Sequence, residues 1–119
     1  TLYKSYNANT ENSMFQRYKK TINQIKLYES GLIDHLYEKL MPNCIIMFGG
    51  YAKGTDTKES DIDLFIEAKE EKIDTSKFEE RLGRKIHLVF EKDIKELSKE
   101  LKNNIINGIV LSGNLRLLK

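Results

Sequence analysis

An apolar run, Cys44 to Phe48, ends in Gly49-Gly50, and a second patterned run opens soon after with Asp61-Ile62-Asp63-Leu64. Nothing else in the chain restricts the fold as much. The first run has no polar position, so as a strand it must be covered on both faces, in the middle of a sheet. The second, Asp61 to Glu67, alternates, with Ile62, Leu64 and Ile66 on one side and Asp61, Asp63, Phe65 and Glu67 on the other. Asp61 and Asp63 then point the same way, beside a glycine turn with bare backbone amides. Two carboxylates so placed repel each other without a cation. The set suits a divalent cation carrying a nucleoside triphosphate.

At 119 residues the chain is one domain with a modest core. Its net charge of +2 lacks the basic excess of a nucleic-acid-binding domain, so direct DNA binding by this chain is not expected. The longest apolar stretch is far too short to span a bilayer, and no basic-then-apolar leader opens the chain, so no membrane association is expected. The single Cys44 lies inside the apolar run and reads as a small core residue of a protein in the reducing cytoplasm. The chain begins at Thr1 rather than Met, as a trimmed chain or a piece of a longer one would.

Asn7 to Ser13 is polar and turn-like, with Asn12 or Ser13 as helix cap. Phe15, Tyr18, Ile22, Ile25, Tyr28 and Leu32 then recur at helical spacing, forming a stripe for the core or for a second copy of the chain in a homodimer. Ser30-Gly31 interrupts this helix. A short one carrying Leu32, Leu36 and Leu40 stops at Met41-Pro42-Asn43. Tyr51 to Gly54 opens a short helix, Ala68 to Lys77 is a charged loop, and Phe78 to Leu82 is a brief helix closed by Gly83. Lys85 to Phe90 is a third strand, with Ile86, Leu88 and Phe90 on one face and His87, Val89 and Glu91 on the other. Asp93 to Asn107 is one or two helices, and Ile109 to Leu111 and Leu115 to Leu118 are strand or irregular.

Phe48-Gly49-Gly50-Tyr51-Ala52-Lys53-Gly54 followed by Ser60-Asp61-Ile62-Asp63-Leu64 resembles the signature of the DNA polymerase beta superfamily, closest to its minimal nucleotidyltransferases. Their usual pattern is Phe-Gly-Ser-x-Ala-Arg-Gly and then Ser-Asp-Ile-Asp-Leu. Glycine stands here for the serine, and Lys53 keeps the charge of the arginine. The resemblance implies an α+β fold, a small mixed β-sheet flanked by helices. It also implies a triphosphate, ATP being the expected one, held by Gly49, Gly50, Lys53 and Ser60. Asp61 and Asp63 would ligate Mg2+, with Mn2+ as an alternative, to neutralise the transferring phosphate. Ser60 would also hydrogen-bond locally where the second strand begins.

One departure bears on catalysis. The superfamily's third carboxylate sits in a stretch like Arg-Lys-Val-Asp-Leu-Val, and here Arg84-Lys85-Ile86-His87-Leu88-Val89 puts His87 in its place. His87 is thus the third catalytic candidate beside Asp61 and Asp63, either as a base or as a cation replacing a metal. Glu91 lies on the same face but roughly 13 Å further along the strand, a poor substitute. Lys53 is either a phosphate ligand or a surface lysine, and Tyr51 either stacks on a base or sits half-buried. Relatives that act as antitoxins on HEPN-type toxins imply a protein acceptor. Leu2-Tyr3-Lys4-Ser5-Tyr6-Asn7 resembles the last wing strand of archaeal proteins that join a winged helix to such a domain, through which alone DNA would be bound. The domains expected are an N-terminal segment with a linker helix, 1–30, and a nucleotidyltransferase domain, 31–119. The expected activity is nucleotidyl transfer to a hydroxyl. The alternative is a degenerate nucleotide-sensing or dimerisation module of a winged-helix regulator.

Overall fold

The computed structural model describes the backbone of residues 2–117 and the side chains from residue 12 to residue 117. From Thr1 to Ser30 the sequence contains neither glycine nor proline, and one helix, α1, runs unbroken over Leu2–Glu29. The turn expected over Asn7 to Ser13 and the wing strand expected at Leu2 to Asn7 are therefore both replaced by helix. With no residue that costs more than a few tenths of a kcal/mol there, nothing stops the helix from extending. It ends where expected. Gly31, at φ 85°, adopts the left-handed conformation that turns the chain into α2, Leu32–Leu40. The Ser30 hydroxyl donates to Leu27 O at 2.6 Å and accepts from Leu32 N at 3.2 Å, while Arg81 donates to Ser30 O at 2.7 Å.

The remaining elements are β1 Cys44–Phe48, α3 Gly49–Lys53, β2 Ile62–Glu67, α4 Ser76–Leu82, β3 Ile86–Glu91, a 3-10 turn at Ile94–Glu96, α5 Lys99–Ile106 and β4 Ile109–Gly113. Leu115 to Leu117 is irregular, and Leu118 lies outside the described residues. The sheet order is β3-β2-β1-β4. β1 is antiparallel to both β2 and β4, and β2 is parallel to β3. This is the small mixed sheet flanked by helices that was expected.

Alternation along β1 explains its continuous apolarity. Ile45 and Met47 join Leu27, Leu32, Leu36, Ile62, Leu64, Ile66 and Phe78 beneath α1, α2 and α4. Cys44, Ile46 and Phe48 face the opposite way, onto Phe65, Ile94 and Ile105. Burial and the charge of Glu67 raise the Cys44 thiol to about 11, so it behaves as an inert apolar residue. The second layer, formed by the 3-10 turn and α5, covers only part of its face of the sheet. Phe65 lies fully buried under it, whereas Asp63, two residues earlier on the same face, remains partly open to solvent.

The stripe on α1 does not enter the core, apart from Leu32, which belongs to α2. Phe15, Tyr18, Ile22, Ile25 and Tyr28 are all exposed, and Asn23 and Leu27 face the domain instead. Helical spacing defines a face but not its direction, and a polar contact set the direction. Asn23 Nδ2 donates to Tyr51 O at 3.0 Å and to Asp56 Oδ1 at 2.9 Å. Close approach of backbones completes the seat: a Cβ on Gly54 would collide with Gln16 O and lie 3.1 Å from Lys20 N, at φ +75°. Gly54→Ala is accordingly expected to cost about 2 kcal/mol or more, read as a lowered urea midpoint with unchanged slope. No helix among the described residues is long and apolar enough to cross a membrane.

Candidate functional site

The site forms where β1 ends and β2 and β3 begin. Antiparallel pairing sets Asp63 opposite Phe48, the residue before the glycine turn, and parallel pairing sets His87 beside Asp63. The two oxygens of Asp63 are divided between these neighbours. Oδ1 lies 3.2 Å from His87 Nδ1. Oδ2 lies over Gly49, at 2.5 Å from the place a Cβ would occupy. Gly49 also has φ +76°, so both its conformation and its lack of a side chain are required. The histidine expected at the third position is thus brought into direct contact with one of the two aspartates. Glu91 is not: it stands at the far end of β3, paired with Glu67.

Asp61 precedes β2 and is exposed, with no side-chain hydrogen bond among the described residues. Gly50 lies in the first turn of α3, where its carbonyl accepts from Gly54 N and from Thr55 N at 3.0 Å. Lys53 is exposed at the end of α3. Ser60 Oγ accepts from Thr57 N at 2.9 Å, the local bond expected at the start of the second strand. Tyr51 is buried, with the Arg84 guanidinium 5.6 Å from its ring centre, so it belongs to the core rather than to a base-stacking platform.

Residues that motif and spacing did not single out hold this arrangement together. Asp56 is buried between three donors: Asn23 Nδ2 at 2.9 Å, Arg84 Nη2 at 2.8 Å and Lys19 Nζ at 3.4 Å. Lys19 also donates to Asp56 O, and Arg84 donates to Thr57 O and, at 3.2 Å, to Ser60 O. Arg84 therefore clamps the loop that delivers Asp61 to the sheet. Burial alone would raise the Asp56 carboxyl, but Asn23, Lys19 and Arg84 together hold it below its ordinary value. The partners Asn23, Arg84 and Lys19 lie 33, 28 and 37 residues away, so local pattern carries no signal of them.

Among the described residues no three of His, Cys, Asp and Glu form a group that would hold a metal by themselves. The donors present still fit magnesium. That ion is usually held by one or two carboxylates, with water and substrate phosphates completing its shell. Asp63 Oδ2 faces the open glycine turn, and Asp61 has both oxygens unengaged among the described residues. The α3 amides that follow Gly49 offer donors for phosphate oxygens.

A family model described as nucleotidyltransferase domain matches residues 30–112. No curated protein matches the chain as a relative. Among solved structures, a chain from a toxin–antitoxin complex crystallised with AMP-PNP is similar in fold. The TM-score is 0.53 and the identity 24%, over 71% of this chain and 73% of that one.

Proposed function

The chain belongs to the nucleotidyltransferase domain family, and from that premise we propose that it binds a nucleoside triphosphate with Mg2+ and transfers the nucleotidyl group to a hydroxyl. The division of the Asp63 carboxylate carries the reading. Oδ2 faces the phosphate-binding turn as a metal ligand, and Oδ1 orients His87. With Nδ1 donating to Asp63, His87 presents Nε2 outward as a base. The acceptor oxygen bonds to the α-phosphorus, its proton passes to Nε2, and the α–β bridge breaks with pyrophosphate leaving. Bound magnesium would supply charge neutralisation at the phosphates, held by Asp61 and Asp63. Gly49, Gly50 and the α3 amides hold phosphate, and Lys53 adds positive charge at the end of the same helix. ATP as nucleotide and a protein as acceptor belong to the same proposal, and both are in keeping with a fold likeness to a chain from a toxin–antitoxin structure that contains AMP-PNP.

A second reading keeps the binding and drops the transfer, as in a nucleotide-sensing module. His87 in the place of a carboxylate favours it. Incubation with ATP labelled at the α-phosphate, Mg2+ or Mn2+, and protein acceptors separates the two. Label fixed on a hydroxyl, and lost in Asp61→Asn, is the expected result. Magnesium-dependent binding without transfer to any acceptor would establish the sensor, and no binding at millimolar nucleotide would remove both.

A further inference from the structure

Met14, Phe15, Tyr18, Ile22 and Ile25 lie on the side of α1 away from Asn23 and Leu27, Tyr28 borders that face with its hydroxyl donating to Leu111 O at 2.8 Å, and each of the six is between 42% and 65% exposed. None of them belongs to either core cluster, yet together they expose on the order of 600 Å2, most of it apolar. That reaches the upper end of the largest patch on an ordinary monomer, roughly 300–600 Å2. We propose that this face pairs with the same face of a second copy, making an antiparallel helix pair about a two-fold axis near residue 20.

The spacing supports a helix as occupant. Phe15, Tyr18, Ile22 and Ile25 repeat at three, four and three residues, the seam of a helix pair, flanked on one side by Met14 and Tyr28. An antiparallel arrangement seats Phe15 against Ile25 of the second copy and Tyr18 against its Ile22. Each aromatic ring then meets a branched aliphatic chain, which keeps the seam even in width. The parallel alternative stacks ring on ring at one end and leaves the other narrow, and it also aligns the helix dipoles.

Complete burial of two such faces would remove at most about 1,200 Å2, the lower end of the range for stable interfaces. On the flank opposite Met14 and Tyr28, the Lys19 ammonium is bound to Asp56, and Lys26 is exposed at the border of the seam, where its stem can lie along it. The overall charge of +2 leaves little net repulsion between copies, and Glu11 and Glu29, at the two ends of the same spacing, limit the apolar seam to the stretch between them. The inference rests on α1 alone and stands or falls apart from the transfer reaction.

Sedimentation velocity of the whole chain from about 1 to 100 µM tests it. The wild type should sediment as a dimer, and Tyr18→Glu and Ile22→Asp should each raise the dimer dissociation constant at least about a hundredfold. Far-UV circular dichroism should be unchanged, because neither side chain packs within the monomer. Met41→Asp, at an even more exposed apolar position off this face, should remain dimeric. A wild type that is monomeric throughout, a dimer that survives both α1 substitutions, or one that Met41→Asp also dissociates would overturn the proposal.

Discussion

Asp63→Asn is expected to lower magnesium-dependent nucleotide affinity at least about a hundredfold while leaving the melting temperature almost unchanged. Groups that merely orient a metal ligand are worth 10–100-fold in affinity or activity, so loss of a ligand should match or exceed that. The amide keeps the shape of the carboxylate and removes its charge, which is what magnesium and the phosphates require. Stability should hardly respond. Among the described residues the side-chain partner of Asp63 is His87, whose side chain is 63% exposed, and even a charged pair so exposed contributes at most about 1 kcal/mol. Isothermal calorimetry with ATP and Mg2+, beside a thermal melt, checks both parts. An equal loss of stability would mean that the aspartate is structural.

Asp56→Ala should do the reverse. Removing the carboxylate leaves the Lys19 and Arg84 charges facing each other in a buried setting, a change that costs about 3 kcal/mol. For a chain of this length that lowers the melting temperature by roughly 10 °C. The sign of the pH dependence follows from the depressed carboxyl. Its contribution is complete above the unfolded value of about 4 and disappears as pH falls through the lower folded value. Wild-type stability should therefore fall with acid in that range, and the Asp56→Ala curve should be flatter. Activity should fall too, because Arg84 loses the anchor from which it holds Thr57 O and Ser60 O.

The parts of this molecule that were legible in the sequence are those determined by neighbours in the chain. Cys44 to Phe48 could only be an interior strand, Gly31 and Gly83 end their helices, and Asp63 and His87 sit on strands that their own alternation defines. The sheet then brings the two together, as their shared position in register demands. The start of α1 was obscured because polar residues from Asn7 to Ser13 resemble a turn, although none of them breaks a helix. The direction of the apolar stripe was hidden for a different reason. Periodicity finds a face, but the choice between core and partner depended on Asn23 and Gly54, residues with no apolar signal. Phe65 and Glu67 show the same effect. Both alternate with the apolar face yet are buried, Phe65 because Ile94 and Ile105 reach it from more than 25 residues later in the chain. The Asp56 cluster was the least accessible, since it unites α1, a loop and the start of β3.

The central claim is that the glycine turn and Asp63 form one site for a triphosphate and its metal. The most direct test is calorimetric titration of ATP into the wild type and Gly49→Ala, each with Mg2+ and with EDTA. A methyl at Gly49 meets Asp63 Oδ2 at 2.5 Å and cannot be accommodated without moving that carboxylate. Saturable binding by the wild type that requires Mg2+ and is lost in Gly49→Ala is the predicted result. Binding that is indifferent to EDTA, or equally strong in Gly49→Ala, would contradict it.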